Sequence, residues 1–115
     1  MTLQSRIQSL SETFHPEWVA LRRHLHAHPE LSFQEHETMA FVSKQLTAWG
    51  VEHQTHVTDT GIVAHVKGTD SESRLVALRA DMDALPIQEA NDVPYASTRP
   101  GVMHACGHDV HTTSL

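Results

Sequence analysis

With 115 residues, 39% hydrophobic and 19% charged, the chain has room for one ordinary domain with a modest core, and its composition is globular rather than disordered. A net charge of −6, with no basic cluster larger than the pair Arg22 and Arg23, argues against a nucleic-acid partner, whose phosphates need a concentrated basic face. No apolar run approaches the roughly 20 residues of a membrane span, the first six residues lack the apolar core of a secretory signal, and one cysteine excludes an internal disulfide framework, so a reducing cytoplasm is the expected compartment.

From about residue 3 to residue 28, Ile7, Leu10, Phe14, Val19, Leu21 and Leu25 form an imperfect helical stripe. Pro16 interrupts it. A short helix, a joint, and a second helix from Pro16 to about His28 are therefore expected, with Pro29 as the stop. Ser32, with Glu35 three residues on, has the spacing of a capping box. It opens a helix over about residues 34–49 that sets Met39, Val42, Leu46 and Trp49 on one face and ends at Gly50.

The period then falls to two. Residues 51–58 read as a strand with Val51, His53, Thr55 and Val57 on one face, and residues 61–67 read as another. A polar turn over residues 68–73 leads to a third expected strand at 74–80, whose unbroken Leu75, Val76, Ala77 and Leu78 suit burial on both faces. Residues 81–107 carry Pro86, Pro94 and Pro100 and no sustained period, as an active-site loop region does. A helix is expected to open at Asp109.

The chain has 11 histidines, and they concentrate at positions 24–36 and 104–111. In Cys106-Gly107-His108, a thiolate and an imidazole lie on one side of an extended backbone, about 6–7 Å apart, and both can turn toward one cation, with Gly107 freeing the backbone to bend. By spacing alone, a structural cysteine beside a surface histidine is the favoured reading, since a two-ligand signal is weak. Asp81-Met82-Asp83 closes the expected strand at 74–80, the end where open α/β sheets gather catalytic groups, although aspartates there also cap loop backbone. His24, His26 and His28 read as structural: no His-Glu-x-x-His accompanies them, and a helix C-terminus favours cationic side chains. Asp109 and His111 are either groups that orient the ligands or surface residues.

Three segments carry a resemblance. Residues 22–35 (Arg-Arg-His-Leu-His-Ala-His-Pro-Glu-Leu-Ser-Phe-Gln-Glu), 77–87 (Ala-Leu-Arg-Ala-Asp-Met-Asp-Ala-Leu-Pro-Ile) and 100–109 (Pro-Gly-Val-Met-His-Ala-Cys-Gly-His-Asp) resemble, in order and spacing, the signatures of bacterial and plant metallo-amidohydrolases. That group contains hippurate hydrolases, N-acyl-amino-acid amidohydrolases and indole-acetyl-amino-acid hydrolases, within the aminoacylase–carboxypeptidase class. The resemblance implies an α/β fold: the N-terminal portion of a metallopeptidase-type catalytic domain over residues 1–115, helices first and then a mixed sheet, incomplete and without the lid and dimerisation domain.

It further implies that Cys106 and His108 are metal ligands and that Asp83 lies near the metals and helps orient the catalytic base. Asp81 falls where related peptidases place a metal-binding histidine, so its role stays open. The implied cofactor is a pair of divalent ions, zinc or manganese, and the implied substrate an N-acyl amino acid cleaved at its amide bond by a homodimeric complete enzyme. The glutamate base and the remaining ligands are expected after the third segment, so the 115 residues are expected to be inactive alone. A dipeptidase or carboxypeptidase of the same superfamily is the alternative, disfavoured by aspartate at position 81; a non-catalytic metal-binding remnant is the other.

Overall fold

The structure, a computed structural model, describes residues 1–70 and 72–115. In chain order the elements are α1 (Leu3–Ala27), α2 (His36–Ala48), β1 (Glu52–Val57), β2 (Gly61–His65) and α3 (His108–Ser114). Thr2 caps α1 by accepting the Ser5 amide at 3.1 Å. The joint expected at Pro16 is absent, and α1 runs through it as one helix of 25 residues. Proline removes one amide, which leaves the Glu12 carbonyl without its helical partner. Residues 12–17 are exposed, so water can satisfy that carbonyl and the turns on either side carry the helix across.

The start of α2 shows a second departure. Ser32 and Glu35 form no capping box; Glu35 precedes the helix without a side-chain cap bond. The buried carboxylate of Glu30 takes that place. It accepts the amides of Glu37 (3.1 Å) and Thr38 (2.6 Å) and the Thr38 hydroxyl (2.6 Å). An anion aimed at unpaired first-turn amides is stabilising on both hydrogen-bond and dipole grounds. Ser32 and Glu35 are thereby freed for other partners: Ser32 donates to Asp83 at 2.5 Å, and Glu35 accepts from Thr60 at 2.7 Å. At the other end, Gly50 has φ of +69°, its amide reaches Thr47 and the Val51 amide reaches Leu46, the Schellman stop that its position implies.

β1 and β2 pair antiparallel, Glu52 opposite His65 and Val57 opposite Gly61, with a bulge between Gln54 and Val57. As expected, His53, Thr55 and Val57 form the half-buried face. The hairpin lies on α2, where Ser43 donates to His53 Nε2 at 2.8 Å and Met39 is buried beneath the His56 amide.

The expected strand at 74–80 is not a strand. Leu75, Val76 and Leu78 are 91%, 77% and 76% exposed. A ladder needs a neighbour to accept its amides, and none faces this stretch among the described residues. The polar turn expected at 68–73 includes Ser71, which lies outside the described residues.

What gathers the three signature segments is a pair of short bridges. Ala84 donates to the Glu30 carbonyl at 2.7 Å beside a parallel Leu31–Ala84 bridge, and Leu85 and Met103 exchange amide bonds at 2.9 and 3.0 Å. Among the described residues the buried apolar side chains are few (Leu25, Pro29, Met39, Ala84), and the surrounding interior is largely polar: His26, Glu30, Glu35, Thr38, Thr60, His104 and Asp109. No helix among the described residues is long and apolar enough to cross a membrane.

Candidate metal centre

His108 is the first residue of α3, and its ring is held on one side only. Nδ1 donates to the Asp83 carboxylate at 2.8 Å and faces the Asp83 carbonyl at 2.9 Å. Asp83 is held in turn by the Ser32 hydroxyl on its other oxygen. With Nδ1 committed as a donor, Nε2 carries the free lone pair in the neutral ring. This carboxylate–imidazole arrangement is how metal-binding histidines are oriented and made more basic.

Nε2 points toward Asp81, 3.8 Å from Oδ1, which also accepts from His111 Nδ1 at 3.3 Å. One ligand atom from each of Asp81, His108 and His111 lies within 4.8 Å of the others. The backbone of Asp81 is pinned to α3 by the Thr112 hydroxyl at 2.7 Å. Two imidazoles and a carboxylate at this spacing could hold a divalent cation.

The electrostatics follow the contacts. The Ser32 hydrogen bond, with His108 behind it, holds the Asp83 carboxyl below its ordinary range, and the His111 hydrogen bond does the same for Asp81. Partial burial disfavours the charged form of His108, but the Asp83 carbonyl and the Asp81 and Asp83 carboxylates outweigh it and raise its pKa. The site is thus anionic and already attracts one positive charge, a proton or a metal.

Of the residues singled out in the sequence, His108 and Asp83 are in direct contact. Cys106 is exposed and stands outside the Asp81–His108–His111 group. Gly107 has φ of −112°, which any residue adopts, so backbone freedom is not its role. Space is: a Cβ there would stand 3.0 Å from His111 Nε2. Asp109 and His111 part company. Asp109 is 1% exposed and faces α1, whereas His111 is exposed beside Asp81.

The histidine trio makes packing and polar contacts away from the Asp81–His108–His111 group. His24 stacks on His28 and Phe41, and His26 is buried between two carboxylates, Asp109 and Glu89. Sequence reasoning passed over Glu30, Glu89 and His104. The His104 ring is 4% exposed, neither nitrogen has a partner among the described residues, and burial lowers its pKa. Only its place two residues before Cys106 marks it in the sequence.

Residues 77–115 match the family model described as Peptidase family M20/M25/M40. An N-acyl-L-amino acid amidohydrolase of Geobacillus stearothermophilus is 50% identical over 97% of this chain, which covers 30% of that protein. An N-acetyl-L-cysteine deacetylase of Bacillus subtilis is 48% identical over 90% of this chain and 24% of its own length. Among solved structures, a dinuclear metal binding peptidase from the M20 family of Bacillus subtilis superposes with a TM-score of 0.84 at 46% identity, over 90% of this chain and 29% of that one. The chain thus spans between 24% and 30% of the length of these relatives. Over that span, in sequence and in fold, it is similar to members of Peptidase family M20/M25/M40.

Proposed function

We propose that the chain is the metal-binding first portion of a hydrolase that cleaves the amide bond of N-acyl amino acids. The observation that carries the reading is the His108 ring, tied to Asp83 through Nδ1 and turned toward Asp81 and His111 through Nε2. Relatives named N-acyl-L-amino acid amidohydrolase and N-acetyl-L-cysteine deacetylase support the substrate class, and a dinuclear relative supports a two-ion centre.

In this reading His108 and Cys106 are ligands, zinc or manganese is the cation, and Asp83 is the group that orients. Bound there, divalent ions lower the pKa of water and polarise an amide carbonyl. The chain's own residues do the rest of the local work. Ser32 fixes Asp83, Asp83 fixes the His108 tautomer, and the Asp81 carboxylate adds negative charge that retains a cation. Cys106 is the proposed sulfur ligand, carried two residues before His108, and Gly107 between them leaves room for the His111 ring. The general base that takes the proton from water and hands it to the leaving amine is a glutamate contributed from outside these 115 residues.

The test combines zinc titration calorimetry with an assay of acetate release from N-acetyl amino acids. Saturable binding that His108→Ala abolishes, without turnover by the 115 residues, is the expected result. Turnover by these residues alone would overturn the assignment of the base, and binding indifferent to His108 would overturn the metal assignment.

A further inference from the structure

α3 has only seven residues and its N-cap, Gly107, makes no side-chain cap bond. A helix this short is not stable by itself, so its orientation comes from what its side chains hold. The strongest hold is Asp109. Its Oδ2 accepts from His26 Nδ1 at 2.7 Å and lies 3.0 Å from Arg22 Nε, both on α1, while Oδ1 accepts the Val110 amide at 2.9 Å.

His26 faces a second carboxylate on its other side, Glu89 Oε1 at 2.9 Å from Nε2. Glu89 also accepts the Ser97 amide and the Asn91 side chain. Each ring nitrogen of His26 thus faces one carboxylate. His26 therefore crosslinks α1, the loop that follows Asp83, and α3.

We infer that His26 and Asp109 are a positioning pair for His108. Neither reaches the cation group, but Asp109 is the next residue after His108, and successive residues of a helix point about 100° apart. Anchoring Asp109 in the interior fixes the rotation of α3 about its axis. That rotation presents the His108 ring to Asp83 and leaves Nε2 directed at Asp81 and His111. The inference rests on the reading of His108 as a metal ligand.

The test uses the full 115-residue chain with Co²⁺ alone as probe, following affinity and the visible ligand-field spectrum. Three variants are compared: His108→Ala, His26→Leu, and His26→Gln, which keeps an N–H donor toward Asp109. The positioning pair predicts that His26→Leu weakens Co²⁺ binding about 10- to 100-fold, the usual effect of losing an outer partner of a ligand. It also predicts an altered spectrum and partial recovery in His26→Gln. His108-dependent binding that His26→Leu leaves unchanged in affinity and spectrum would overturn the pair alone. Binding that His108→Ala leaves unchanged would overturn the underlying metal reading instead. Should His26→Leu not fold, nitrogen-15 correlation spectra of the unaltered chain decide: a single Nδ1-protonated tautomer of His108 with a slowly exchanging His26 Nδ1 proton supports the pair, and a His108 ring averaging between tautomers contradicts it.

Discussion

Glu30 shows how much one side chain can organise here. Its buried carboxylate closes the first turn of α2 while its carbonyl receives Ala84, so it joins the helix start to the segment carrying Asp81 and Asp83. Burial works against its charge, but the Thr38 hydroxyl and amide, the Glu37 amide and Arg99 together lower its pKa below the ordinary 4.5. A depressed folded-state pKa gives stability that is present above the unfolded value and is lost as pH falls through the folded one. From Glu30, urea unfolding midpoints are accordingly expected to fall as pH drops below about 4.5, and Glu30→Gln should flatten that fall while costing about 1–3 kcal/mol at neutral pH. Gly107 gives the second residue-scale expectation. Gly107→Ala should displace the His111 ring, shifting its proton resonances, with helicity unchanged. The sequence motifs singled out His108 and Asp83, which the fold brings into contact. It could not identify Glu30, whose partners lie seven and eight residues away across a turn, nor the exchange of the Ser32–Glu35 pair for longer-range partners.

Among the elements, period was a sound guide where one face alone is covered. α2 with its glycine stop, the alternating β1, and the opening of α3 were all legible. Pro16 misled because its cost is local and its turn faces water. Replacing it with alanine restores one helical bond, so Pro16→Ala should raise stability by about 1–3 kcal/mol with little change in far-UV helicity; a lowered melting temperature would argue against a continuous α1. The 74–80 segment misled for a different reason. Its apolar run specifies burial on both faces, which is a statement about neighbours, and no strand pairs with it among the described residues. The hydrogen bonds that bring His108 to Asp83 and Asp109 to His26 join residues 25 and 83 positions apart, and no local pattern encodes such distances.

For the whole molecule, a small apolar interior stands beside a large exposed apolar surface. Leu75, Val76 and Leu78 join Val66 and the outer stripe of α1 (Leu3, Ile7, Leu10, Phe14, Trp18) in facing solvent. Exposed apolar surface of this extent drives association, so light scattering is expected to show mass rising with concentration. The double substitution Leu75→Lys with Leu78→Lys should reduce that rise without abolishing metal binding, because neither residue belongs to the Asp81–His108–His111 group. In the proposed function this chain holds a cation through His108 and Cys106. Zinc-edge X-ray absorption of the zinc-loaded chain tests it most directly. The expected result is imidazole scattering with nitrogen or oxygen neighbours at about 2.0–2.1 Å and one sulfur at about 2.3 Å, the imidazole signal weakening in His108→Ala and the sulfur vanishing in Cys106→Ser. A shell of oxygen alone, unchanged by either substitution, would contradict it.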